Sequence, residues 1–159
     1  MTQTRVGQGF DVHPFIDDAQ RPLVLGGVTF DSPRALRGHS DADVIAHACA
    51  DALLGAAGLG DIGELFPDTD PQWAGADSIS LLAEVGRRVR EHGWDPVNVD
   101  CSVVTDHPKL APQRERMNEI LSGAIGAAVT VKGRRPEGMG ALGRGEGVAC
   151  WAVALVSRP

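Results

Sequence analysis

From Asp43 to Ala57 the chain reads as one Ala-rich helix, opened by Ser40 and Asp43 and closed near Gly58. That helix, set early between strand-like runs, constrains the topology more than any other segment. Before it, Arg5–His13 alternates as a strand does, with Val6 and Phe10 among small and polar residues. Leu23–Val24–Leu25 and Val28–Thr29–Phe30 flank Gly26-Gly27 and read as a hairpin or a kinked strand. After the helix, Gly58 to Gly75 holds too much Gly, Pro and Asp for regular structure and reads as a long loop. Asp77 or Ser78 can cap a second helix that presents Leu81, Leu82, Val85 and Val89 on one face and stops at Gly93. Val99–Thr105, Val129–Lys132 and Val148–Ser157 read as strands, and Pro112 to Ser122 as a third helix packing Met117, Ile120 and Leu121. This order predicts an α/β (α+β) sandwich, a mixed sheet with helices packed on one face, formed by residues 1–159 as a single domain.

Composition limits how such a core is filled. Aromatic residues make up 4% of the chain and Tyr is absent, so Val, Leu, Ile and Ala must build the interior. A formal net charge of −6 argues against a nucleic-acid footprint. The short basic run Lys132 to Arg135 suits at most one small phosphate ligand. No stretch is apolar enough to span a bilayer, and the first residues lack a signal peptide's hydrophobic region. The three cysteines, Cys49, Cys101 and Cys150, are widely spaced and lie in apolar segments, as buried free thiols do. A cytoplasmic protein is expected.

The chemistry concentrates in a few places. In a strand, Asp11 and His13 project to the same side, and His47 on the first helix could join them as a third zinc ligand. Three protein ligands would leave a fourth position open, the mark of a catalytic rather than a structural zinc. On spacing alone, a His on an Ala-rich helix is more often a satisfied buried residue than a ligand. Asp43 and Asp51 each lie one turn from His47, and either could hold its second nitrogen. Gly38-His39-Ser40-Asp41-Ala42-Asp43 stands at the helix start, where free N–H groups favour phosphate. There His39 is a donor to a phosphate or leaving group, or a loop residue in water. The run Asp61 to Asp70 is rich in acceptors for polyol hydroxyls, or simply solvated.

Taken together, these segments resemble the 2-C-methyl-D-erythritol 2,4-cyclodiphosphate synthase family. The matching stretches are Gly7-Gln8-Gly9-Phe10-Asp11-Val12-His13, His39-Ser40-Asp41-Ala42-Asp43 with His47, and Asp51-Ala52-Leu53-Leu54-Gly55-Ala56-Ala57. Further matches are Gly60-Asp61-Ile62-Gly63-Glu64-Leu65-Phe66-Pro67-Asp68-Thr69-Asp70, Gly75-Ala76-Asp77-Ser78 and Gly143-Arg144-Gly145-Glu146-Gly147. They run in order along nearly the whole chain.

The resemblance implies a homotrimer with three active sites at subunit interfaces. It implies one zinc per subunit at Asp11, His13 and His47, and a second divalent cation, magnesium or manganese, at Glu137. The implied substrate is 4-diphosphocytidyl-2-C-methyl-D-erythritol 2-phosphate, a cytidine diphosphate compound whose 2-phosphate attacks the β-phosphorus to release CMP. Substrate contacts are then expected from Asp11, Val12, His13, His39 and Ser40, from Asp61, Ile62 and Gly63 to the erythritol, and from the wall Phe66, Pro67, Asp68, Thr69 and Asp70. A neighbouring subunit's Thr105, Pro108, Lys109, Leu110 and Ala111 would form the cytidine pocket. Arg134, Arg135, Glu137 and Arg144 complete the set, with His39 and Arg135 in catalytic roles.

One run departs from the family. Where its members usually carry Thr-Thr-Thr-Glu after Lys-Ala, this chain has Lys132-Gly133-Arg134-Arg135-Pro136-Glu137. The Thr that would steady the transition state falls at Arg135. Either Arg134 or Arg135 replaces the hydroxyl contacts, since arginine stabilises phosphate charge strongly, or both side chains face solvent. Pro136 also removes a backbone donor. Ala141 stands where the family often has a Phe lining a trimer pore, which counts against an isoprenoid role for such a pore. Trp151 is expected in the core or at an interface. The competing functional classes are a non-catalytic trimeric, metal-dependent binder of cytidine diphosphate ligands and a zinc hydrolase. The hydrolase would need a general base, and only His39 is on offer.

Overall fold

Two glycines on the inner side of the first strand decide how closely the layers meet. The computed structural model describes residues 1–159. Strand β1 (Gln3–Ile16) lies across helix α1 (Val44–Ala57). A Cβ at Gly7 would fall 2.1 Å from the Ala52 carbonyl oxygen, and one at Gly9 would fall 1.9 Å from that of Ala48. Ala48, Ala52 and Ala56 are spaced four apart and form one small-residue ridge of α1. The strand backbone sits directly on that ridge. Asp43 caps the helix, accepting from Ile45 N and Ala46 N, and Gly58 closes it at φ 74°. Eleven of its residues are buried, because the sheet covers one side and a second helix the other.

That second helix, α3 (Ser78–Glu91), follows the short α2 (Ile62–Leu65). Strand β5 (Asp95–Val104), helix α4 (Arg114–Ile125), strand β6 (Ala128–Arg134), a short α5 (Gly140–Gly143) and strand β7 (Gly147–Arg158) complete the chain. Between β1 and α1 lie β2 (Leu23–Leu25), β3 (Val28–Phe30) and the two-residue β4 (Ala35–Leu36). The main sheet runs β4-β1-β7-β5-β6. β1 pairs antiparallel with β7 from Gln3 opposite Arg158 to Pro14 opposite Gly147. Only β5 and β6 are parallel, and α4 is the crossover between them. The sheet is mixed, with α1, α3 and α4 on one face. β2 and β3 form a separate hairpin whose turn, Gly26-Gly27, has both φ values positive, as a tight two-residue hairpin requires.

A core of 35 buried residues fills the space between the layers, and Phe66 and Trp94 are its only aromatics. The three cysteines are buried and unbridged. No helix is long and apolar enough to cross a membrane.

Several boundaries differ from the sequence reading. The run from Gly58 to Gly75 is partly ordered, because Asp61 accepts from Glu64 N to start α2 and Asp70 accepts from Gln72 N to start a 3₁₀ turn at Pro71–Trp73. α4 begins at Arg114, after a 3₁₀ turn over Ala111–Gln113, and buries Ile125 rather than Ile120. β1 is longer at both ends than Arg5–His13. Trp151 is outside the core: it stacks on Phe10 at 4.9 Å on the sheet face that the helices leave open. There Val6 is 68% exposed, Val12 50% and Trp151 39%.

Gly9→Ala should destabilise the protein by about 1–3 kcal/mol in urea denaturation, since backbone must move to admit the methyl. Gly123→Ala, in α4 with open space around it, should instead stabilise by roughly 0.5–1 kcal/mol. Asp43→Ala should lower the thermal midpoint: it removes a cap worth about 1 kcal/mol and strands the amides of Gly26 and Gly27, which Asp43 accepts at 2.8 and 2.7 Å.

Candidate metal and substrate site

Beyond Gly9, the inner side of β1 carries Asp11 and then His13, by the two-residue period of a strand. On α1 the residue before Ala48 is His47. The close seating of strand on helix therefore brings three ligand types together, and their ligand atoms lie within 4.8 Å of one another. His13 Nε2 is 2.9 Å from Asp11 Oδ2, and His47 Nδ1 is 3.0 Å from the same oxygen.

The outer nitrogens are tied. His13 Nδ1 is 2.6 Å from the Arg37 carbonyl. A carbonyl only accepts, so Nδ1 carries the proton and Nε2 a lone pair. Nε2 is buried and makes no hydrogen bond, its approach to Asp11 being out of line. An orphaned nitrogen beside a carboxylate, with a second imidazole converging, is a donor set that fits a divalent cation and suits zinc. Electrostatics agree. Burial opposes the charge of Asp11, but the two imidazoles hold its carboxyl well below the usual carboxylate range. Burial pulls the His13 ring down, and the Asp11 carboxylate more than offsets it, so its pKa is raised.

Neither carboxylate on α1 holds the second nitrogen of His47. Asp43 is engaged by four backbone amides. Asp51 accepts from Ile62 N at 2.8 Å and so ties α2 to α1. His47 Nε2 instead meets Ser78 Oγ at 2.8 Å and Ser40 Oγ at 3.1 Å. Asp77 takes the cap of α3 by accepting from Ser80 N, which leaves the Ser78 hydroxyl free to face His47 and to donate to Asp41. Ser78 and Asp41 appear in the sequence reading within longer stretches but have no part there in holding His47, because the only sequence sign of their contact is that each borders a helix.

A cavity of about 490 Å³ opens over the cluster and is walled by His39, Ser40, Ile62, Gly63, Phe66, Pro67 and Asp68. Its rim is anchored by Arg21, which donates to the carbonyls of Gly38 and Ser40 on either side of His39. Trp73 packs edge-on against Phe66 at 4.9 Å. Asp61 and Asp70 serve as caps, Thr69 lies outside the cavity, and the Val12 side chain is on the open face of the sheet.

A second cavity, about 340 Å³, is lined by Thr105, Pro108, Lys109, Leu110 and Ala111 together with Arg134 and Arg135. The two cavities share no residue. The end of β6 is therefore joined to the Thr105 loop, with Thr105 N donating to the Arg134 carbonyl at 3.1 Å, and is not brought to the Asp11 cluster of the same chain. Glu137 sits in a turn at φ 53° and lines neither cavity. Arg144 pairs with Glu146 at 2.5 Å, also away from both.

The YgbB family model matches residues 4–157. A 2-C-methyl-D-erythritol 2,4-cyclodiphosphate synthase of Rubrobacter xylanophilus is 55% identical over 158 residues, covering 97% of this chain and 95% of that one. Among solved structures, the bifunctional IspDF of Campylobacter jejuni superposes with a TM-score of 0.93 at 39% identity, over 100% of this chain and 43% of that one. IspF of Plasmodium falciparum, in a complex with CDP, gives 0.82 at 31% identity, over 96% and 95% of the two chains. With the fold, the cluster and the full-length match in agreement, the chain belongs to the YgbB family, that of the 2-C-methyl-D-erythritol 2,4-cyclodiphosphate synthases.

Proposed function

We propose that this protein is the lyase that converts 4-diphosphocytidyl-2-C-methyl-D-erythritol 2-phosphate to 2-C-methyl-D-erythritol 2,4-cyclodiphosphate and CMP, in non-mevalonate isoprenoid precursor synthesis. The observation that carries the reading is the Asp11–His13–His47 cluster at the floor of a cavity, in a full-length member of the family. Asp11, His13 and His47 would hold zinc, and Glu137 a magnesium or manganese ion. When bound, such cations neutralise diphosphate charge and template the ring closure.

The rest falls to the chain's own groups. The attacking 2-phosphate is already ionised, so no general base is required. What is required is a fold-back of a flexible substrate, and its entropic cost is met by holding both ends. His39, on the loop anchored by Arg21, and Ser40 face the phosphates. Asp61, Ile62 and Gly63 address the erythritol hydroxyls, and Phe66, Pro67 and Asp68 form the adjoining wall, with Thr69 and Asp70 continuing that segment outside the cavity. The Thr105–Ala111 cavity takes the cytidine. Arg134 and Arg135 line that same cavity, which supports Arg135 as the group that stabilises charge where the family has threonine, with Arg144 as a further phosphate contact.

We also read residues 1–159 as one cyclodiphosphate synthase domain that works as a homotrimer. Two observations support this. The metal-cluster cavity and the Arg135 cavity share no residue, as expected of half-sites completed by a neighbouring subunit. The open sheet face also exposes Val6, Phe10, Val12, Trp151 and Val153 together, an apolar surface suited to burial against other copies. Three unbridged thiols suit the cytoplasm.

CMP release from the substrate, with zinc and magnesium present, tests the reading. His47→Ala should abolish release, and Arg135→Ala should reduce kcat by about 10²–10³-fold, the usual loss of one charge-stabilising donor. A folded, zinc-loaded wild type that binds CMP without turnover would instead favour a non-catalytic binder, the one reading that the Arg134-Arg135-Pro136 departure supports. Zinc affinity, measured by chelator competition, should fall as pH is lowered through the raised pKa of His13, because protons compete for Nε2. An affinity unchanged between about pH 8 and pH 6 would remove His13 from the ligand set.

A further inference from the structure

His39 lines the cavity from a loop without regular structure, yet its backbone has little freedom. Arg21 Nη2 donates to the Gly38 carbonyl at 3.2 Å and to the Ser40 carbonyl. Gly75 N donates to the carbonyl between them, that of His39, at 2.8 Å. A peptide unit is planar, so the two planes that flank His39 are both held, and its φ and ψ with them. Three successive carbonyls are thus fixed by two distant segments. The amides of His39 and Ser40 donate to no group of the protein and stay available to a ligand. The segment also rests against the Asp11–His13–His47 cluster: a Cβ at Gly38 would lie 3.2 Å from His13 Cε1. Arg21 is placed in turn by Asp18, which accepts from Arg21 N at 3.2 Å. Its half-buried guanidinium forms no salt bridge, and its Nε is buried without a hydrogen-bond partner. A charge so placed is costly until an anion comes near it.

We propose that Arg21 is a positioning residue for the ring closure: it clamps the Gly38–Ser40 segment so that His39 stands aligned for the diphosphate, and it keeps an unpaired positive charge behind that segment. This rests on reading the cavity as the site of the cyclodiphosphate synthase reaction. Arg21 does not line the cavity, so it acts through the segment it holds and not by touching substrate. A donor aligned before substrate arrives spends no ordering entropy in the transition state. The charge adds a field that favours a phosphate over a neutral group at the same place.

The test follows CMP release by the full-length protein with zinc and magnesium, together with its affinity for inorganic pyrophosphate. Arg21→Met keeps the stem and removes the donors. It should lower kcat/KM about 10²-fold, with helical circular dichroism as in wild type. Arg21→Lys keeps the charge on a shorter reach and should lose only about tenfold, the worth of one charged hydrogen bond. In the Arg21→Met background, His39→Ala should cost little more, because a misplaced His39 has already lost its contribution. Wild-type kcat/KM in Arg21→Met, or losses that simply multiply in the double variant, would overturn the proposal. Should Arg21→Met not fold, the same cycle on Arg21→Lys decides by the same rule. Wild type that releases no CMP would overturn the proposed reaction instead. Pyrophosphate affinity then decides the role of Arg21: a loss of about tenfold in Arg21→Met supports it, and equal affinity overturns it.

Discussion

The seating of β1 on α1 is the contact from which the rest of the molecule is measured. Gly7 and Gly9 remove the side chains that would hold the strand away, and Ala48, Ala52 and Ala56 remove those on the helix. Strand and helix then approach at backbone distance, closer than any branched pair would allow. One consequence is energetic: a seam too close to admit even a methyl group at Gly7 or Gly9. The other is geometric. Asp11 follows Gly9 on the same side, and His47 precedes Ala48, so the contact that packs the core also sets the carboxylate–imidazole spacing.

A second constraint holds the neighbouring hairpin to the same helix. The Asp43 carboxylate is fully buried and gathers amides from Gly26, Gly27, Ile45 and Ala46. Burial pushes its pKa up to about 6 against the pull of those donors. A buried charge is costly unless hydrogen-bonded, and here the bonds come from two elements at once. The carboxylate thus welds the turn of β2–β3 to the start of α1, beside the loop that carries His39.

Much of this was legible in the residues. The Gly26-Gly27 turn, the two-residue period through Asp11 and His13, and the helix bearing His47 all follow from local pattern, and so does the buried face of α3. What escaped depends on contacts between distant segments. That Asp61 and Asp70 cap short helical turns was hidden, because composition cannot distinguish a cap from a free carboxylate. Asp43 and Asp51 looked like partners of His47 because helical spacing was the only available guide, whereas the true partner, Ser78, lies 31 residues away. For Trp151 the residues left core or interface open, and only the fold takes it out of the core. An apolar strand gives no sign of which side its sheet leaves uncovered.

The two cavities are built from different materials. The Asp11 cluster rests on a strand and a helix whose spacing is locked by backbone contact. Arg134, Arg135 and Glu137 lie where β6 gives way to a turn. That turn contributes no residue to the cavity over the cluster. The fold thereby keeps two regions apart: a cluster whose spacing is locked by backbone packing, and a rim at the end of a strand whose residues depart from the pattern usual in the family. The Arg134-Arg135-Pro136 run sits on that rim, away from the backbone contact that seats the cluster.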